Sequence, residues 1–285
     1  MSYDLLFYRL KKNAITEADI RKYLQTRIAA APGGSDQWTY ENEDTGVYCS
    51  FEYDNPADQE AYEGFEPTGF LFNINYMRPR FFGLETFPLV EALVNELDLY
   101  ILNPQIDTEM PARPAKGSVF ENWNKSNLRI SAENFEPLDC TYISPEISDR
   151  AWRYNFNKRR LQEQLGNNYF VPRLSFMRIN EDLEAVTVAV WTEHIPIVIP
   201  PADYFVLADQ HINLFQANWK RRLITRETFM THFSSYLEDF DFEGCHIIHP
   251  DNAAKAKTAY YAVHADDDFE SFLEPVSVET LYNAR

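Results

Sequence analysis

Residues 70–77 read FLFNINYM, with Phe70, Phe72, Ile74 and Tyr76 separated by smaller or polar residues. A period of two is the pattern of a half-buried strand, because successive side chains leave a pleated strand on opposite faces. Such a strand needs neighbours, and the preceding sequence offers them. Residues 3–9 (YDLLFYR) read as a first strand. Thr16 is placed to cap a helix carrying Ile20, Tyr23, Leu24 and Ile28, with Asp19 completing a capping-box-like pair and Pro32-Gly33-Gly34 ending it. QWTYEN (37–42) and GVYCSFEY (46–53), joined through Glu43, Asp44, Thr45 and Gly46, form a hairpin pattern. After the 70–77 strand, Phe87, Val90, Leu93, Val94 and Leu97 mark a second helix and residues 99–102 a closing strand. The expected order is β-α-β-β-β-α-β, a ferredoxin-like split βαβ with one additional strand.

Residues 107–117 (DTEMPARPAKG) hold two prolines and a glycine without periodicity and read as a linker. The chain is thus expected to divide into a ferredoxin-like α+β lobe over 1–106 and a second α+β lobe over 118–285. In the second lobe Ser118 and Glu121 have capping-box spacing for a helix to about Phe135. Pro145 and Gly166 sit where a helix start and stop favour them. Strand-like runs follow at 173–178, 185–191, 195–199 and 204–207, then a helix over 225–237 and two short C-terminal helices.

Charge is distributed in a way that packing alone does not require. From Ile28 to Met77 there is no Lys or Arg, while Asp36, Glu41, Glu43, Asp44, Glu52, Asp54, Asp58, Glu60, Glu63 and Glu66 are all acidic. Like charges repel and destabilise a compact state, so a one-sign stretch suggests a field that attracts something cationic. Half of these carboxylates fall in or beside the loop between the third and fourth strands, where binding residues tend to sit. The expected partner-binding residues are Glu41, Glu43, Asp44, Glu52, Asp54, Asp58, Glu60, Glu63 and Glu66. The window itself supplies no cation to cancel them. Trp38, Tyr40, Tyr48, Tyr53, Tyr62 and Phe65 are candidate aromatic anchors beside the acids.

The whole chain carries a formal charge of −18, and its 45% hydrophobic content is that of a folded protein. Nucleic acid and anionic membrane are poor partners for it, because both are bound by Lys and Arg. The N-terminus has no signal-peptide pattern and no stretch is long and apolar enough to span a bilayer. Cys49, Cys140 and Cys245 are odd in number and far apart, which fits reduced core residues of a cytoplasmic protein.

Catalytic signatures are missing. Cys245-His246-Ile247-Ile248-His249 is the nearest approach to a metal site, but adjacent Cys and His cannot both face one ion from a strand, and no second ligand pair accompanies them. Asp266-Asp267-Asp268 lacks calcium-loop spacing and suits a helix N-terminus instead. The bases and aromatics of residues 150–160 fit an amphipathic helix, with Trp152, Tyr154 and Phe156 as core-facing or edge residues. No G-x-S-x-G, H-E-x-x-H or phosphate-binding glycine loop occurs, and no cofactor is expected. An enzyme would need an active site assembled from distant residues of the second lobe, in the manner of a hydrolase.

An acidic α+β chain without catalytic motifs resembles the cytoplasmic immunity proteins of bacterial polymorphic toxin systems. A local feature adds to this: Asp98-Leu-Tyr-Ile-Leu-Asn103-Pro104-Gln105 resembles the strand ending in Asp-Pro-Gln of several small bacterial β-α-β-β-α-β proteins, with Asn103 in place of the acid. The resemblance implies tight binding to a basic toxin domain and occlusion of its active site. It carries over no catalytic residue.

Overall fold

The computed structural model describes residues 1–28, 36–106, 109–134, 140–179, 182–212 and 217–284. The chain is α+β and divides into two compact units, Met1–Leu138 with Tyr282–Arg285, and Asp139–Leu281. The division falls beyond the 107–117 connection.

The first unit runs β1 (Ser2–Leu10), α1 (Glu17–Arg27), β2 (Gln37–Asn42), β3 (Val47–Tyr53), β4 (Phe65–Asn75), α2 (Phe81–Glu96), β5 (Tyr100–Leu102) and α3 (Ser118–Asn134). Its five strands form one antiparallel sheet in the order β2-β3-β4-β1-β5. Thr16 caps α1 through a capping box with Asp19, as the spacing predicts. The expected stop at Pro32-Gly33-Gly34 lies outside the described residues.

Two sequence signals misled. β4 begins at Phe65, ahead of the alternating run, because Phe65, Glu66 and Pro67 pair with Leu10, Arg9 and Tyr8 across a register shift in β1. Proline and glycine hide a strand in sequence, and here both sit at the irregular end of the pairing. There Thr68 Oγ1 donates to the Phe7 carbonyl at 2.7 Å, and Gly69 has φ +81°. A Cβ at Gly69 would stand 2.5 Å from the Asp54 carbonyl oxygen.

The helix over 118–134 belongs to the first unit, not to a second lobe beginning at 118. Its Trp123 lies so close to α2 that a Cβ on Gly83 would come within 2.7 Å of the indole. Asn127 accepts from the Met77 amide at 2.7 Å and donates to the Arg78 carbonyl. The expected capping box at its start does not form: the Ser118 hydroxyl donates to Ala115, and the Glu121 amide donates to the Gly117 carbonyl.

One face of the first sheet carries Tyr3, Leu5, Phe7, Trp38, Phe51, Phe70, Phe72 and Ile74, all buried. α2 packs there, with Phe87 against Phe72 at 5.6 Å and Tyr3 at 6.1 Å. α1 reaches the same face, where Arg21 lies over the Tyr53 and Trp38 rings.

The second unit holds β6 (Thr141–Tyr142), α4 (Pro145–Leu165), β7 (Ser175–Ile179), β8 (Ala185–Thr192), β9 (Ile197–Ile199), β10 (Tyr204–Ile212), β11 (Ala217–Thr225), α5 (Arg226–Phe233), β12 (Glu238–Asp239), β13 (His246–Ile248), α6 (Pro250–Ala262), α7 (Phe269–Phe272) and β14 (Leu273–Pro275). Its main sheet has the order β11-β10-β8-β7-β14, with β8 and β10 parallel. Residues 217–225 form a strand that no alternation in the sequence announces. Pro145 opens α4 and Gly166 ends it at φ 70°, as the sequence predicts, and the Ser144 side chain caps the first turn. Tyr154 is buried on α4, but Phe156 is 48% exposed, since the buried face runs through Ser148, Ala151, Asn155 and Leu161.

Candidate functional site

The expected acidic site does not form one patch. Glu43 and Asp44 lie at the turn between β2 and β3, with Glu41 just before it in β2, whereas Asp54, Asp58, Glu60 and Glu63 follow the other end of β3 and Glu66 lies at the start of β4. A seven-residue strand separates the groups by about 20 Å. Glu52 lies at that second end of β3, two residues before Asp54.

Nor are the carboxylates all uncompensated. Cations remote in sequence arrive through the fold: Arg9 pairs with Glu66 and Arg21 with Asp36, each at 2.8 Å. Glu41, Glu43, Asp54, Asp58 and Glu63 remain exposed and make no ion pair among the described residues. The loop after β3 is ordered by its own bonds. Asn55 caps a short 3-10 turn at 56–58, and the Tyr8 hydroxyl donates to the Glu60 carbonyl at 3.0 Å. Tyr8 also packs edge-on against Tyr62, whose hydroxyl donates to Glu60 Oε2. Burial pushes the Tyr8 hydroxyl up to about 12, so it stays a donor at neutral pH.

Most expected aromatic anchors are already used inside the first unit. Trp38 is 1% exposed. Phe65 packs on Tyr100. The Tyr53 hydroxyl donates to Glu17, and Tyr40 with Asn42 and Thr45 donates to buried Glu85. Burial first, then the Glu85 charge, raises the Tyr40 and Cys49 pKa values, which keeps both groups neutral.

The polar side of the first sheet gathers what the sequence scattered. Because α1 and α2 pack on the apolar face, the alternate residues of the same strands form the opposite one. Asp4 on β1 pairs across to Asn73 on β4, which lies opposite Ser50 on β3, which lies opposite Thr39 on β2. Gln37 stands opposite Glu52, and Glu41 opposite Tyr48. None of these positions is Lys or Arg. They enclose a depression of about 270 Å³ lined by Gln37, Thr39, Tyr48, Ser50, Glu52, Asn73 and Asn75, with Cys49 and Ile74 also in its lining. The signal was present in sequence: the residues between the apolar positions of 70–77 include Asn73 and Asn75, and those between Cys49 and Phe51 and beyond are Ser50 and Glu52.

The second unit offers a different chemistry. A cavity of about 540 Å³ lies on one face of its sheet, lined mainly by Met177, Val188, Val190, Val206, Phe269 and Leu273, with Arg221 the charged residue among the described lining. That lining contains no histidine, cysteine or carboxylate. On the other face, Asp209 and Arg222 form a buried ion pair at 2.7 Å. Arg222 also donates to the Tyr260 and Val263 carbonyls, and the Tyr260 hydroxyl donates to the Trp191 and Ala208 carbonyls. These bonds tie α6 to the sheet.

His246 and Cys245 belong to a short buried strand and its approach, while His249 meets the Tyr169 hydroxyl at 2.6 Å. All three cysteines are buried and none forms a disulfide. Asp266 accepts from the Thr225 amide at 2.8 Å. Among the described residues no group of three or more His, Cys, Asp or Glu is placed to hold a metal ion, and no helix is long and apolar enough to cross a membrane. Comparison of the chain with protein-family models, with curated proteins and with solved structures finds no match.

Proposed function

We propose that this chain is an acidic, non-catalytic binding protein that captures a basic protein partner, acting in the cytoplasm as an immunity protein that neutralises a toxin domain by covering its active site. One observation carries the reading: the open face of the first sheet presents Asp4, Glu41 and Glu52 among amides and hydroxyls, with no base at the strand positions that form it. A surface of one sign on a rigid sheet steers a partner of opposite sign and fixes its orientation, with association rates reaching about 10⁸–10⁹ M⁻¹s⁻¹ at low salt. Nucleic acid and membrane, which carry the same sign of charge as this face, are not its partners in this reading.

The first unit is read as ferredoxin-like, with β2 added outside the four-strand core. Supporting this, β1 lies between β4 and β5, and β4 lies between β1 and β3, which is the split arrangement of such a sheet. Helices on the opposite face leave the polar one open to a partner.

Affinity capture at low and high salt, with bound proteins identified by mass spectrometry, tests the function. A partner of net positive charge is expected at low salt, released at high salt, and lost in the Asp4→Asn/Glu41→Gln/Glu52→Gln variant. Equal retention by that variant, or capture of acidic proteins alone, overturns the reading.

A further inference from the structure

We infer that the depression on the open face of the first sheet is a socket for one arginine side chain of the partner, with Glu52 as its counter-charge. The inference rests on the proposed binding function and adds the specific contact. At about 270 Å³ the depression falls below the range of about 300–1,000 Å³ typical of pockets for whole small molecules. It suits a single side chain better than a cofactor.

Its chemistry is that of a prearranged acceptor site. Glu52 Oε1 accepts from the Ser50 hydroxyl at 2.8 Å and from Gln37 Nε2 at 3.2 Å. These two bonds fix the carboxylate and leave Oε2 to meet a donor. Asn73 gives its amide nitrogen to Asp4 at 2.6 Å, so its carbonyl oxygen, on the other side of the amide, is the group left to accept. The side chains of Thr39 and Asn75 have no hydrogen-bond partner among the described residues. The depression therefore offers one carboxylate and at least two neutral acceptors, and the base at its rim, Arg78, donates to the Tyr48 hydroxyl at 2.8 Å.

That set selects a guanidinium over an ammonium. Five donors in one plane can reach Glu52 and the neighbouring amide and hydroxyl oxygens together, and a guanidinium sheds water more readily than an ammonium. A neutral polyol would leave the Glu52 charge unanswered at a half-buried position.

Titration of the isotopically labelled full chain with N-acetyl-arginine methylamide, followed at the side-chain amides of Gln37, Asn73 and Asn75, tests the socket. Saturable shifts confined to these amides are expected, with the lysine analogue binding at least about tenfold more weakly and Glu52→Gln costing at least about tenfold. Silence at these amides, equal response to lysine, equal binding by Glu52→Gln, or a response to methyl glucoside in place of arginine overturns it. The two readings fail separately. Arginine binding without capture of any basic protein removes the toxin-neutralising function and keeps the socket. Capture that survives Glu52→Gln removes the socket and keeps the function.

Discussion

Replacing Arg222 with methionine strips Asp209 of its partner where both side chains are 6% exposed. An uncompensated buried carboxylate is far more costly than an absent ion pair, so Arg222→Met is expected to destabilise the second unit by about 3–5 kcal/mol. Adding Asp209→Leu should recover most of that loss, although the carbonyls of Tyr260 and Val263 remain without their guanidinium donor. Urea unfolding of the two variants measures the difference. His194 supplies a second prediction at this scale. Burial first, then Lys257, lowers its pKa, so the folded chain holds the neutral imidazole more strongly than the unfolded one. The sign follows: the unfolded state takes up the proton first, and stability is lost as pH falls below about 6.5, levelling off beneath the lowered folded value. His194 has φ 48°, a conformation that asparagine tolerates. In His194→Asn, the fall in unfolding midpoint between pH 7.5 and 5.5 should be smaller than in the unaltered chain.

Among the elements, α3 shows how packing overrules punctuation. The two prolines and the glycine of 107–117 mark a connection, yet the helix after it returns to α2 because Gly83 admits the Trp123 indole. Gly83→Ala would gain helix propensity, but its Cβ must displace a ring at 2.7 Å in a filled core. A net loss of about 1–3 kcal/mol is expected, measurable by thermal or urea unfolding. β11 was invisible for another reason. Lys220, Arg221 and Arg222 look like a solvated run, but Arg222 is buried because Asp209 on the neighbouring strand and two carbonyls receive it. The ordered loop after β3 behaves in the opposite way, since Asp54, Asp58 and Glu63 stay exposed without ion pairs among the described residues. Reversing these three to Lys should leave folding within about 0.5 kcal/mol per site and slow association with a basic partner, flattening its salt dependence. Stopped-flow binding at two salt concentrations measures this, and unchanged rates would assign the loop to solubility.

For the whole molecule, a formal charge of −18 implies self-repulsion that salt screens. The urea midpoint is expected to rise from low to physiological ionic strength, and a fall would show that ion pairs such as Arg9–Glu66 outweigh the repulsion. The sequence alone determined the α+β class, the caps of α1 and α4, and the acidic, cysteine-poor, motif-free character of the chain. These are readable because side-chain periodicity, capping and composition act over a few neighbouring residues. It also contained the polar face, in the residues alternating with Phe70, Phe72 and Ile74, although nothing local says which strands lie side by side. Tertiary structure alone decided that the acidic window splits to the two ends of β3, and that Arg9 and Arg21 answer two of its charges. It also decided that Trp38 and Tyr40 turn inward, while Glu52 meets Asn73 and Asn75 around one depression. Each of these depends on strand register and helix placement, which join residues tens of positions apart and leave no trace in any short stretch of chain.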